Sequence, residues 1–178
     1  AFNSDYKLTS IELPTKLTSI GASAFLNCES LESIDIPDTV TEIGDRAFAN
    51  SGLRMLVIPS GVTAVNYDLC NENHNLNEVV FSPNTKSVEM TAFSGCSNLK
   101  NIDLPDGLEK IGEMAFLSTV NARIYIPQSV TDIEKKAFND NAVIYGYANS
   151  VAEEFAKNND IKFVAVNSHD EYLSLLTY

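Results

Sequence analysis

A motif recurs every 22 to 23 residues through almost the whole chain, and no other feature limits the fold as much. Ile-Gly-Ala-Ser-Ala-Phe at 20–25 returns as Ile-Gly-Asp-Arg-Ala-Phe at 43–48 and as Ile-Gly-Glu-Met-Ala-Phe at 111–116. Weaker copies run from Val88 to Phe93 and from Ile133 to Phe138, and a degenerate one from Val65 to Cys70. The aromatic slot therefore falls at Phe25, Phe48, Cys70, Phe93, Phe116 and Phe138, in steps of 23, 22, 23, 23 and 22. Ile-Asp-Ile-Pro at 34–37 keeps the same beat and returns at 56–59, 102–105 and 124–127 with one or two residues changed. Self-similarity at this period predicts a solenoid, in which each repeat buries its apolar face on its neighbours.

One copy, Leu31 to Gly52, shows how a repeat is built. Leu31, Ile34 and Ile36 predict a strand with one buried face. Pro37 has no amide hydrogen and ends the ladder, and Asp38-Thr39 turns the chain. Val40 and Ile43 point inward from a second, shorter extended segment. Gly44 allows a backbone conformation or a close approach that a side chain would hinder, and Asn66, Glu89 and Glu134 in the same slot show that positive φ is not obligatory there. Asp45 to Asn50 is expected as one helical turn that drops Ala47 and Phe48 into the core. In the third copy Leu69-Cys70 replaces Ala-Phe, a swap that roughly conserves volume. In the fourth, Pro83 arrives one residue late, so that turn should differ.

The frame stops after Ile144. Ser150-Val-Ala-Glu153 is a capping-box pattern, and Val151, Ala152, Phe155 and Ala156 give the next helix an apolar face. Asn158-Asn159 ends it, and Ile161 to Val166 is expected as a final strand. The expected organisation is one solenoid domain over 1–166, capped by 144–166, and a tail or linker over 167–178. That tail could form a short helix through Tyr172, Leu175 and Leu176. Ala1 to Tyr6 has no full repeat to stack on and is expected to fray.

The 178 residues carry a formal charge of −12. Such a surface repels phosphate backbones and anionic lipid, which argues against nucleic-acid binding. No apolar run is long enough to span a membrane. Ala1 to Asp5 is polar and lacks the basic start and apolar middle of a secretory signal, but the missing initiator Met points to a trimmed mature chain or an artificially shortened one, so the absent signal says little about the compartment. Cys28 and Cys96 each follow an aromatic-slot Phe by three residues, three repeats apart, hence roughly 15 Å at about 4.8 Å per strand. That exceeds disulfide reach, and Cys70 sits in the aromatic slot itself, so three free, buried thiols are expected.

These residues resemble the BspA-like, or Treponema-type, leucine-rich repeats, whose pattern resembles Leu-x-x-Ile-x-Ile-Pro-x-x-Val-x-x-Ile-Gly-x-x-Ala-Phe-x-x-Cys. Leu8 to Cys28 matches it at every key position, and Ile144 to Phe163 resembles the cap that closes such arrays in gut bacteria. The resemblance implies a leucine-rich repeat solenoid, right-handed and curved, mainly β with short helical turns and one C-terminal capping helix. It also implies a secreted or surface-anchored bacterial protein, often adhesive towards host matrix proteins or other cells, and it carries no catalytic residues or cofactors to transfer.

Little in the frame suggests chemistry. A nucleophilic triad would need Cys70, which occupies a core slot, with His74. His74 and His169 are expected to be solvated, His169 in the tail. Asn71, Asn73 and Asn75 alternate as in a calcium loop but lack its leading Asp and its Gly, so an Asn-rich turn is the better reading. No Gly-rich phosphate loop, Cys-x-x-Cys pair or His-x-x-x-His spacing occurs. What remains is the exposed strand ladder. One outward residue per strand gives Glu12, Asp35, Val57, Val80, Asp103 and Tyr125, and the adjoining position supplies Met55 and Glu78. An apolar centre (Met55, Val57, Val80) with acidic flanks suits a protein-binding site, and the resemblance implies a concave face there and a host matrix or other cell-surface protein as its ligand. The expected function is a non-enzymatic extracellular binding module. A structural spacer or assembly unit is the alternative.

Overall fold

The computed structural model describes residues 1–176. It is a parallel β-solenoid of about seven turns. Two rows of short strands run along it. One row holds β1 (Ser19–Ile20), β2 (Glu42–Ile43), β4 (Ala64–Val65), β6 (Ser87–Val88), β8 (Lys110–Ile111) and β10 (Asp132–Ile133). The other holds β3 (Met55–Val57), β5 (Glu78–Val80), β7 (Asn101–Asp103), β9 (Arg123–Tyr125), β11 (Val143–Gly146) and β12 (Lys162–Ala165). Pairing is parallel and in frame: Leu56 faces Val79, and Ile102, Ile124, Ile144 and Phe163 follow one another. The Leu, Ile and Val of each turn enter a single core that also takes in Ala, Phe and Cys from the third side.

That third side is built differently from the expected helical turn. Residues 45–50 and their equivalents form no helix. They carry left-handed residues on both sides of the aromatic slot: Ser23, Arg46, Asp68, Thr91, Met114 and Lys136 two residues before it, and Ser4, Asn27, Asn50, Glu72, Gly95 and Ser118 two after. Alternate amides then point along the solenoid to the next turn, as in Ser23 N to Asp45 O at 2.8 Å, Phe25 N to Ala47 O at 2.8 Å and Asn27 N to Ala49 O at 2.9 Å. The amides between them close turns of four residues, such as Ala24 N to Gly21 O at 3.2 Å. A helix would direct these bonds along its own axis. Here the backbone becomes a third inter-turn ladder, and its groups are satisfied without helical length.

The rings stack along this side at 5.5 and 5.6 Å from Phe2 through Phe25 to Phe48, and at 5.4 and 5.6 Å from Phe93 through Phe116 to Phe138. Cys70 interrupts the column. Leu69 and Cys70 are both buried, so the swap stays inside the core, and Phe81 meets Phe93 edge-on at 5.7 Å. Phe2 was legible as a copy of Phe25, 23 residues ahead of it. The N-terminus does not fray: Phe2 N and Ser4 N bond Ala24 O and Leu26 O at 2.8 and 2.7 Å. Gly44 shows why its slot favours glycine, because a Cβ there would lie 2.5 Å from Ala22 N. In the fourth repeat Ser82 takes the proline's turn position and Thr85 the buried valine's, with Thr85 N on Ser82 O at 3.0 Å.

Helix α1 (Val151–Asn158) closes the stack. Ser150 accepts from Glu153 N at 3.3 Å, and Glu153 accepts from Asn149 N at 2.6 Å. Phe155 abuts Phe138 edge-on at 5.9 Å, and β12 extends the ladder from β11. Residues beyond the cap form α2 (His169–Leu176), which lies against the outer face of β9 and β11.

Candidate binding face

The strands β3 and β5 place Met55 beside Glu78 and Val57 beside Val80. Met55, Val57 and Val80 are 41%, 50% and 41% exposed and lie together on neighbouring strands. Leu56 and Val79 between them are buried, so the alternation of the strand is what turns the row outward. Glu78 is exposed on the same face, and Glu12 and Asp35 are exposed further towards the N-terminus. Those two turns lack the strand expected there: residues 10–12 and 31–37 form no strand, so Glu12 and Asp35 sit on irregular backbone.

At the other end the face is covered. Tyr125 occupies the outward position as expected but is 1% exposed, because Tyr172 of α2 stacks on it at 5.2 Å. Asp103 is half covered, with His169 Nε2 at 2.8 and 2.9 Å from its two oxygens. His169 is therefore held by the ladder, in place of the solvated histidine expected. Burial pushes the Asp103 carboxyl above its usual range, and His169 pulls it part of the way back. Between α2 and the open half lies a groove of about 460 Å³ lined by Glu78, Val80, Phe81, Asn101, Asp103, Tyr172 and Leu176, among others. A second concavity, about 510 Å³, lies around Phe138, Asn139 and Asn159 and shares no lining residue with the outward row of the ladder.

The other chemical candidates are committed elsewhere. Burial raises the Cys70 thiol well above its ordinary value and pushes Cys96 up to about 12, which removes both from nucleophilic chemistry at neutral pH. All three cysteines are free and buried. Cys28 and Cys96 point their sulfurs at Phe2 O and Cys70 O, at 3.1 and 3.2 Å. Ser51, Asn73 and Thr119 occupy the same slot, and Asn73 bonds Ser51 Oγ at 2.9 Å. The slot thus takes a small side chain able to meet a buried polar group. Asn71 is bonded to Asp68 at 2.8 Å, so two of the alternating asparagines serve packing. His74 is exposed as expected, and its ring also contacts Gly95 O at 2.9 Å and Glu72 at 3.3 Å. No cluster of three potential metal-ligating side chains occurs among the described residues.

A capped parallel solenoid with 22- to 23-residue turns, three inter-turn ladders and an exposed apolar row defines a repeat protein built to present a surface. The model of the BspA type leucine rich repeat region matches residues 1–88 and 66–171 in six copies, so the chain belongs to that family. No curated protein matches it in sequence. Among solved structures it is similar to a leucine-rich repeat protein from Bacteroides ovatus, at 20% identity and a TM-score of 0.41 over 90% of this chain and 55% of the other. It is also similar to a leucine rich cell surface protein from Faecalibacterium prausnitzii, at 19% identity and a TM-score of 0.47 over 96% and 63%. The pneumococcal vaccine antigen PcpA shares the fold at 12% identity and a TM-score of 0.52 over 79% and 43%. The chain spans 55% and 63% of the length of the first two. No helix among the described residues is long and apolar enough to cross a membrane.

Proposed function

We propose that this chain is a non-enzymatic bacterial protein-binding module, displayed outside the cell, that engages a protein ligand through its concave ladder. Adhesion to host matrix or to another cell-surface protein is the role that fits such a face. The observation that carries this reading is the exposed row Met55, Val57 and Val80 beside the acidic Glu78. A folded solenoid gains nothing from apolar side chains held in water, whereas a partner that covers them does. The description of the Faecalibacterium protein as a cell surface protein is in keeping with the proposed location. The test is binding of the immobilised chain to a panel of matrix proteins and basic peptides. Val57→Lys with Val80→Lys should weaken the selected interaction at least tenfold, and Asp45→Asn, on an exposed turn of the opposite side, should leave it unchanged. The reverse pattern would place the contact on the convex side and overturn the reading.

A further inference from the structure

The outward row of the ladder does not end at Val80. It continues through Asp103, Tyr125 and Tyr145, with Tyr125 in register with both of the others. Over this stretch α2 is the cover. His169 meets both carboxylate oxygens of Asp103, and its ring lies 4.7 Å from Tyr125. Three residues later, on the same face of the helix, Tyr172 inserts fully buried with its ring 5.2 Å from both Tyr125 and Tyr145. Val166 completes this small cluster, and none of its buried members belongs to the repeat core.

Two further observations mark α2 as an occupant rather than a wall. Eight residues are too few for a helix to hold itself together, so its order comes from this seat. The seat is also imperfectly matched, because the Tyr172 hydroxyl is buried without a partner. Leu173 and Leu175, at 42% and 41% exposure, contribute little to holding it.

We propose that Asp103, Tyr125 and Tyr145 form a recognition site for a peptide segment bearing an imidazole or other cation with an aromatic ring one helical turn later, and that α2 is its resident, displaceable occupant. This rests on the concave face being the binding surface and names the chemistry of what it takes. A partner using the whole face then binds only the fraction of molecules from which α2 has left, so its apparent affinity is reduced by that fraction.

The test supplies α2 in trans. A peptide of residues 167–176 is added to the full chain and to its Tyr172→Ala variant, in which the resident ring is missing. Saturable binding to the variant, at least tenfold tighter than to the parent, is expected, with loss of binding when the peptide itself carries Tyr172→Ala. In the parent, amides of α2 should exchange with deuterium at least tenfold faster than those of β9 and β11, since the helix opens without the solenoid. Equal binding to both chains, binding to neither, or exchange of α2 in step with β9 and β11 would overturn the proposal. So would a Tyr172→Ala variant that loses the circular dichroism of the solenoid, because α2 would then be part of the fold. The peptide reads this seat alone, so its failure leaves the Val57 and Val80 surface untouched as a hypothesis, and the reverse also holds.

Discussion

Asp68 is a carboxylate nearly closed off from water, with donors on three sides. Its side chain is 7% exposed, with Arg46 Nε at 3.0 Å, Asn71 Nδ2 at 2.8 Å and the Thr91 hydroxyl on its other flank. Arg46, Asp68 and Thr91 occupy the same left-handed slot in consecutive turns, so the frame itself lines them up. Burial alone would raise the carboxyl, but the bonds from Thr91, Arg46, Tyr67 and Asn71 outweigh it and hold it below its usual range. A depressed folded-state value means stability that is present above the unfolded value and lost as pH falls through the folded one. Asp68→Asn should therefore lower stability by about 1–2 kcal/mol at neutral pH, the half-exposed Arg46 limiting the ionic part. In urea titrations the gap to the parent should close as pH falls below the ordinary value of 3.8. A gap that stays constant down to acid pH would show that the charge contributes nothing. The sequence shows none of this in advance, because Arg, Asp and Thr in successive turns look like unrelated surface residues until the slot is known to be left-handed.

At the scale of elements, the aromatic column separates what was legible from what was not. Period and apolar type placed Phe25, Phe48, Phe93, Phe116 and Phe138 correctly, and the capping box placed α1 almost to the residue. Those signals are local or strictly repeated. The conformation between them was not legible, since positive φ falls on Ser, Arg, Asp, Thr, Met and Lys in one slot, a mixture with no compositional signature. The docking of α2 was equally hidden, because His169 and Asp103 meet across 66 residues with no repeat to announce it. As the column is two stacks parted by Cys70, each should fail by itself. Phe48→Ala and Phe93→Ala should each cost about 3–5 kcal/mol. Their effects should add to within about 0.5 kcal/mol in the double variant, as for independent sites. Strong non-additivity in urea midpoints would mean that the core transmits across Leu69-Cys70.

For the whole molecule, charge and shape act together. A net −12 on an elongated scaffold gives a field that favours basic partners, and the exposed half of the concave face carries Glu12, Asp35 and Glu78 around its apolar row. Asp103 no longer counts among the free carboxylates, since His169 holds it. Asp35→Asn with Glu78→Gln should therefore slow association with a basic partner two- to tenfold and flatten its salt dependence, while dissociation changes less. An unchanged association rate at low salt would remove these carboxylates from the encounter.

The ladder on the aromatic side has a direction. From Phe2 to Phe116 its amides all give their hydrogens towards the following turn, and the carbonyls receive from the preceding one. A row of bonds that runs one way has unlike ends, one rim rich in acceptors and the other in donors. Two copies meeting end to end could continue this row only head to tail. A two-fold pairing of like rims would set carbonyl against carbonyl or amide against amide. A head-to-tail contact of this kind forms a ring where its rotation closes and an open fibre where it does not, but never a two-fold dimer.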